Sequence, residues 1–146
     1  MVKPASLLLL FAAIVTAATA ALAAPRGYAF RPVVSVEVVE PGGHTPLEDK
    51  NYLDCRDFKV SDADVRYALR HARPVSARHW SDGIASVGCY VGVRVTYDNG
   101  ERSYVAIEPT GRVLASPEPP RYAGRSYYYE CKVCASRSWG VATPSR

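Results

Sequence analysis

No stretch of the sequence concentrates charge of one sign, and no segment repeats. The chain carries 18 Lys and Arg against 14 Asp and Glu, and these residues are scattered along it. Without a basic stripe, a nucleic acid is not expected as a partner. No glycine-rich loop follows a predicted strand either, so the sequence contains no motif for a nucleotide phosphate.

Catalytic patterns are also missing. A nucleophile needs a base within hydrogen-bonding reach and a third group to orient that base. The three histidines, His44, His71 and His79, stand in no such pattern and in none typical of metal ligands. Four acids gather near the start of a predicted helix, where helix capping explains them: Asp54, Asp57, Asp62 and Asp64. We therefore predict no catalytic residue, no metal site and no cofactor.

The N-terminal residues have the three parts of a secretory signal peptide. Lys3 supplies the positive charge, residues 7–18 are apolar, and Ala21-Leu22-Ala23 fits the small-x-small cleavage pattern. We expect cleavage after Ala23, which places the mature protein in the periplasm or outside the cell with no membrane attachment. The alternative is a retained anchor, because residues 2–24 approach the ~20 apolar residues that a spanning helix needs.

Four cysteines lie in the mature part, namely Cys55, Cys89, Cys131 and Cys134. An even count in an exported chain predicts two disulfides. We favour Cys89–Cys131 with Cys55–Cys134, because closing long loops constrains the unfolded chain most. The Cys-x-x-Cys spacing leaves a redox motif or a zinc site as alternatives, but a redox pair normally opens a helix and structural zinc takes further ligands.

One helix is predicted over 62–72, capped by Ser61 and ended by Pro74. Its apolar residues recur at spacings of three and four and form a stripe of Val65, Ala68, Leu69 and Ala72. A β-branched run predicts a strand over 33–39, and residues 40–54 are expected to form a long loop.

After residue 87 the apolar period changes to two, which predicts an antiparallel meander. Its strands are expected over 87–97, 102–108, 113–115 and 126–132, with a hairpin turn at Asn99-Gly100 and a linker loop over 116–125. Gly88 and Gly92 lie inside the first strand, where they allow a ring or backbone to approach. The fold class is α+β, with the helix stripe packed on the sheet face of Val91, Val93 and Val95.

The domain boundaries follow from these elements. We expect a strand and loop over 24–54, an α+β core stapled by disulfides over 55–135, and a C-terminal tail over 136–146.

Tyrosine is the abundant aromatic residue, with 10 Tyr against 3 Phe and 2 Trp. Tyr127-Tyr128-Tyr129 in a strand must alternate between both faces, so at least one ring points outward. Tyr and Trp are enriched where proteins bind other proteins. The candidate binding surface is therefore Tyr127, Tyr128, Tyr129, Tyr90 and Trp80. The alternative is that tyrosine simply covers a small sheet.

One series of motifs runs through most of the mature chain: Cys55-Arg56-Asp57-Phe58, a helix, Trp80-Ser81, Cys89-Tyr90-Val91-Gly92, an Asn-Gly hairpin and Tyr129-Glu130-Cys131-Lys132-Val133-Cys134. In this order the motifs resemble a group of short exported proteins of Gram-negative bacteria, which has no settled activity to carry over. The segment Tyr104-Val105-Ala106-Ile107-Glu108-Pro109-Thr110-Gly111-Arg112-Val113-Leu114 is similar to the PepSY module. That resemblance implies protease inhibition or regulation.

The sequence thus predicts an exported binding or inhibitory domain, for example an immunity protein, whose partner is another periplasmic or extracellular protein. The alternatives are an accessory protein of the cell envelope with no dedicated partner, and a thiol-redox protein that uses Cys131 and Cys134.

Overall fold

The structure, a computed structural model, describes residues 30–44, 55–118 and 125–140. The predicted signal peptide, most of the predicted 40–54 loop and the last six residues lie outside these ranges.

Six strands form one antiparallel sheet in the order β1-β3-β4-β5-β6-β2. The strands are β1 (Val33–His44), β2 (Arg73–Pro74), β3 (Cys89–Tyr97), β4 (Arg102–Ile107), β5 (Arg112–Pro117) and β6 (Tyr127–Glu130). The predicted α+β class is confirmed, and β3 to β6 are the expected meander. The sheet is larger than a small meander, because β1 adds to one edge and β2 to the other.

Helix α1 (Asp62–His71) begins with the predicted Ser61 cap. The Asp64 backbone N–H donates to the Ser61 hydroxyl over 3.2 Å, and the Ser61 N–H donates to the Asp64 carboxylate over 2.9 Å. This reciprocal capping box satisfies two N–H groups that the helix itself leaves without partners. The helix ends one residue earlier than predicted, since Ala72 is extended (φ −64°, ψ 134°) and leads into β2.

The core lies between α1 and one face of the sheet. All four residues of the predicted stripe, Val65, Ala68, Leu69 and Ala72, are buried. They belong to one cluster with the predicted sheet partners Val91, Val93 and Val95. Burying each Val or Leu side chain contributes about 1.5–3 kcal/mol, so this contact is a main source of stability.

Strand β1 is longer and less regular than predicted. It continues to His44, so the prediction of a loop was wrong for residues 40–44. Its pairing with β3 shifts register between Val33 and Ser35, between Val38 and Glu40, and between Glu40 and Gly43. Each shift leaves one extra residue on β1, which bends the strand while allowing pairing to continue.

Both disulfides are present, but the favoured pairing was wrong. Cys55 is bonded to Cys89 and Cys131 to Cys134, each with Cα atoms 5.2 Å apart. His44, at the end of β1, pairs with Cys89, and the 3₁₀ turn Cys55–Asp57 packs on β1, so the chain brings Cys55 to Cys89. Loop entropy describes the unfolded chain; the folded backbone decides which sulfurs meet.

No helix in the described part of the chain has the length and apolar character needed to cross a membrane.

Candidate functional site on the outer face of the sheet

The sheet face opposite α1, called here the outer face, gathers the aromatic residues that the core does not use. Residues paired across neighbouring strands lie on the same face. The pairings Glu40–Gly92, Gly92–Ala106, Ala106–Leu114 and Leu114–Tyr128 therefore form one row across five strands of the outer face. Tyr90, on β3, and Tyr104, on β4, lie at either side of this row.

A carboxylate joins the two tyrosines. The Tyr90 hydroxyl donates to Glu40 Oε1 over 2.5 Å, and the Tyr104 hydroxyl donates to Glu40 Oε2 over 2.7 Å. Both oxygens of one side chain thus fix the ends of two rings that come from different strands. We call Tyr90, Tyr104 and Glu40 the tyrosine clamp.

The clamp perturbs the ionisation of all three groups. The hydrogen bonds from Tyr90 and Tyr104 lower the pKa of Glu40 and outweigh a smaller effect of burial. The hydrogen bond to Glu40 is the main cause that raises the pKa of Tyr90. Burial, followed by the hydrogen bond to Glu40, raises the pKa of Tyr104. At neutral pH the clamp therefore holds one carboxylate and two protonated phenols.

Two glycines make room for the rings. A Cβ atom on Gly92 would lie 2.5 Å from the Tyr104 hydroxyl oxygen and 2.9 Å from its ring, and a Cβ on Gly43 would collide with the Tyr90 ring. The expected approach of a ring at Gly92 is thus confirmed. Gly88 has a different role, because it precedes β3 with a φ of 75°.

A second aromatic group lies on the β5–β6 side of the outer face, and Trp80 is its central residue. It lies in the single π-helical turn His79–Gly83, and its indole N–H donates to the Val113 carbonyl over 3.2 Å. The Arg112 guanidinium stacks 3.7 Å from the centroid of the Trp80 ring, and the Tyr128 ring lies 5.3 Å from it. We call Trp80, Arg112 and Tyr128 the tryptophan cluster.

An acidic partner holds Arg112 in place. Its Nη1 lies 3.4 Å from Glu108 Oε1, and Glu108 Oε2 accepts a hydrogen bond from the Ser86 hydroxyl over 2.7 Å. Arg112 and Glu108 are both buried. The stacked guanidinium is therefore fixed before any partner arrives.

Three of the five predicted surface residues, Tyr90, Tyr128 and Trp80, lie on the outer face and are half-buried. Tyr129 is 1% exposed in the core, where its ring centroid lies 4.6 Å from that of Phe30. Tyr127 shares the core side of β6 and packs against the core. Of the tyrosine triplet only Tyr128 points outward, as strand alternation requires.

Sequence reasoning missed Glu40, Tyr104 and Arg112. Glu40 had been placed in the predicted loop, and it meets Tyr104 across 64 residues of sequence. The alternation over residues 102–108 predicts that Tyr104 and Val105 point to opposite faces of the sheet. That pattern could have placed Tyr104 on the outer face.

The Cys-x-x-Cys motif forms a buried disulfide. Cys131 and Cys134 are both 0% exposed; Cys131 precedes the 3₁₀ turn Lys132–Cys134, and Cys134 is its last residue. Thiol–disulfide exchange requires access of an attacking thiolate to a sulfur atom. The burial of both sulfurs favours a structural role over a redox one.

Two of the three histidines have partners within the fold. His79 Nε2 lies 3.2 Å from Glu130 Oε2, and His71 Nδ1 lies 2.9 Å from the Tyr67 carbonyl. The His44 side chain lies outside the described residues. Within residues 30–44, 55–118 and 125–140, no group of three His, Cys, Asp or Glu side chains is arranged to hold a metal ion.

Comparison of the chain with known protein families, with curated proteins and with solved structures finds no match.

Proposed function

We propose that this protein is an exported, partner-binding domain of inhibitory or immunity type, and that it recognises another periplasmic or extracellular protein through the outer face. The tyrosine clamp carries the proposal. A sheet does not need two tyrosine rings from different strands fixed to one carboxylate, whereas a binding surface gains from rings that are held in place before contact.

The composition of the outer face supports a protein partner. Residues that dominate the binding energy of protein interfaces are enriched in Trp, Tyr and Arg. The outer face offers Tyr90 and Tyr104 at one side and Trp80 and Tyr128 at the other, with Ala106 and Leu114 between them. The resemblance to PepSY-like modules also favours inhibition or regulation of a protein.

Two further observations support export. The N-terminal pattern is that of a signal peptide, and all four cysteines are in disulfides. Disulfides persist mainly outside the cytoplasm.

The test is capture of partners from periplasmic extract on the immobilised protein, followed by titration calorimetry with whatever is captured. We expect Tyr90→Ala and Tyr128→Ala each to weaken binding about tenfold or more, the effect of a dominant interface residue. Tyr67→Ala is the matched control, because Tyr67 lies half-buried on α1, away from the outer face. Thermal unfolding of each variant separates lost binding from lost folding.

The accessory-protein alternative gives the opposite result. In that case Tyr90→Ala and Tyr128→Ala retain the same set of captured proteins as the wild type, or no specific partner is captured at all. Either outcome rejects the proposed function.

A further inference from the structure

Strand β1 lies at one edge of the sheet. Within the described ranges, no strand pairs with β1 on the side away from β3, which we call the free edge of β1. An edge strand presents N–H and C=O groups that an incoming strand can pair with. Val34 and Val39, the extra residues at two of the register shifts, are 61% and 37% exposed. Between them residues 35–38 keep a regular register, so this short run has the geometry to accept another strand.

The register shifts also limit what can pair there. Bulges interrupt an edge and prevent long, continuous pairing with another sheet. A regular run of this length suits a short extended segment better than a whole sheet edge.

Two grooves open along β1 on the side of the sheet that α1 covers. The first groove, near the start of β1, has a volume of about 440 Å³ and combines apolar with basic residues: Phe30, Val33, Leu69, Arg31, Arg66 and Arg70. The second groove, near the other end of β1, has a volume of about 410 Å³ and has the same character: Val38, Pro41, Phe58, Val60, Arg56 and Lys59.

The spacing of the grooves suits an added strand. Alternate side chains of a strand point to the same face, so every second residue of an incoming segment points toward the grooves. Val33 pairs with Tyr97 and Glu40 with Gly92, so the part of β1 between the grooves spans five residues of β3, or about 17 Å. A segment of about eight residues can therefore reach both grooves.

The charge of the grooves selects the partner. Arg31 and Arg66 are paired with Asp98 and Asp62 at 2.8 Å and 2.6 Å. Arg70 and Lys59 are exposed and take no part in those pairs. Each groove therefore has an exposed base beside its apolar residues, Arg70 in the first and Lys59 in the second, so an acidic segment gains from docking.

From these observations we infer that the free edge of β1 binds an extended segment of another protein that carries apolar and acidic side chains on one and the same face, the face turned toward the grooves. The segment adds a strand at residues 35–38 and places apolar side chains in the two grooves, while its carboxylates meet Arg70 and Lys59. A second copy of this chain fits less well, because antiparallel pairing of two β1 strands brings one basic rim against another. The inference is independent of the outer face and of the function proposed for it.

The probe is a labelled octapeptide Val-Thr-Glu-Thr-Glu-Thr-Val-Thr, whose valines and glutamates share one face of a strand, and fluorescence anisotropy with the purified protein measures its binding. The control peptide has lysine in place of each glutamate. We expect binding of the glutamate peptide alone, weakened at high salt because screening shortens the range of charge attraction. Hydrogen exchange should slow at the backbone amides of residues 35–38 when the glutamate peptide is bound.

Matched variants separate the grooves from general surface effects. Combined Lys59→Glu and Arg70→Glu should weaken the glutamate peptide about tenfold or more, whereas Lys132→Glu, at another exposed lysine, should leave it unchanged. Val38→Lys should weaken binding, and Val133→Lys should not, although Val38 and Val133 are both 47% exposed.

Several outcomes overturn the inference. They are equal binding of the two peptides, no binding of either, or protection that maps to Tyr90 and Tyr128 instead of β1. If the amides of residues 35–38 already exchange slowly in the monomer without peptide, another part of the chain covers the edge of β1. A dimer that Val38→Lys dissociates would assign the edge to a second copy.

Discussion

Asp64 and Arg137, 73 residues apart in sequence, meet in an ion pair between a buried carboxylate and a half-buried guanidinium: Arg137 Nε donates to Asp64 Oδ1 over 2.7 Å. The Asp64 side chain is 0% exposed and also accepts hydrogen bonds from the Ser61 N–H, the Ser61 hydroxyl and the Gly140 N–H. One carboxylate thus caps α1 and ties the C-terminal residues to it. The Arg137 guanidinium also stacks 4.2 Å from the Tyr67 ring centroid.

Asp64→Asn should destabilise the protein by about 3 kcal/mol, because the amide offers one uncharged acceptor oxygen to the several donors that now bind the buried carboxylate. Urea unfolding at neutral pH measures the change. Asp62→Asn is the matched control, since Asp62 lies in the same first turn but its side chain is 55% exposed in the ion pair with Arg66. That variant should lose less than about 1 kcal/mol. Equal losses would mean that burial of the Asp64 carboxylate does not matter.

Stability should fall in acid, and Asp64 should account for part of the fall. Burial alone raises the pKa of Asp64, but the hydrogen bonds from Ser61, Gly140 and Arg137 outweigh it, and the pKa is lowered overall. A carboxyl with a lowered pKa in the folded state stabilises the protein above its unfolded pKa of about 3.9, and this contribution is lost as the pH falls further.

Urea unfolding across this acidic range should therefore show a steeper loss for the wild type than for Asp64→Asn. If the free energy of unfolding of Asp64→Asn changes with pH as steeply as that of the wild type, the acid sensitivity comes from other carboxylates. Glu40 is one of these, because its pKa is also lowered.

Glu40→Gln should release the two clamp tyrosines for ionisation. The hydrogen bond to Glu40 is the main cause that raises the pKa of Tyr90, and it adds to the effect of burial on the pKa of Tyr104. The neutral amide should therefore lower both pKa values, while burial keeps that of Tyr104 above its ordinary value. A spectrophotometric titration of the tyrosines at high pH measures this shift. Glu37→Gln is the control, because Glu37 lies on the same strand and pairs with Arg94 instead. Identical titration curves for Glu40→Gln and the wild type would argue against the clamp.

Removing the two disulfides should have unequal effects. Cys55–Cys89 spans 34 residues and Cys131–Cys134 only 3. In the chain-entropy account the first stabilises by about 4 kcal/mol and the second by about 2 kcal/mol. Paired Cys→Ala variants and urea unfolding test the ranking, and peptide mapping under non-reducing conditions tests the pairing itself. Recovery of a peptide linking Cys89 to Cys131 would contradict the structure.

Gly92→Ala should disturb the clamp without touching the core. The added methyl group would lie 2.5 Å from the Tyr104 hydroxyl oxygen, so the ring must move away from Glu40. We expect a loss of about 1–3 kcal/mol, as for other overpacked sites. The Tyr104 pKa should fall as well, because its hydrogen bond to Glu40 is broken. A variant with wild-type stability and tyrosine titration would show that the ring does not rest on Gly92.

Much of the fold could be predicted because its signals are local. The Ser61 cap, the stripe from Val65 to Ala72 and the Asn99-Gly100 turn each depend on neighbours within a few residues. The extension of β1 was missed because Pro41, Gly42 and Gly43 are typical of loops. At an edge with bulges, the pairing with β3 overrides that preference.

The candidate site was harder to predict because its contacts are long-range. Alternation shows that Tyr128 and Tyr129 face opposite ways, but the choice of buried face depends on where α1 packs. Glu40 meets Tyr90 across 50 residues, and no periodic pattern contains that pairing. Helix capping accounts for only part of the role of Asp64, because its ion-pair partner Arg137 lies in a segment expected to be a tail.

The disulfides join cysteines that are consecutive in sequence, Cys55 with Cys89 and Cys131 with Cys134. A chain that is threaded N-terminus first into an oxidising compartment presents each cysteine in turn. An oxidase that couples each newly emerged thiol to the one before it then produces the native pairs directly. For the exported protein proposed above, we therefore expect maturation to depend on a thiol oxidase and not on a disulfide isomerase.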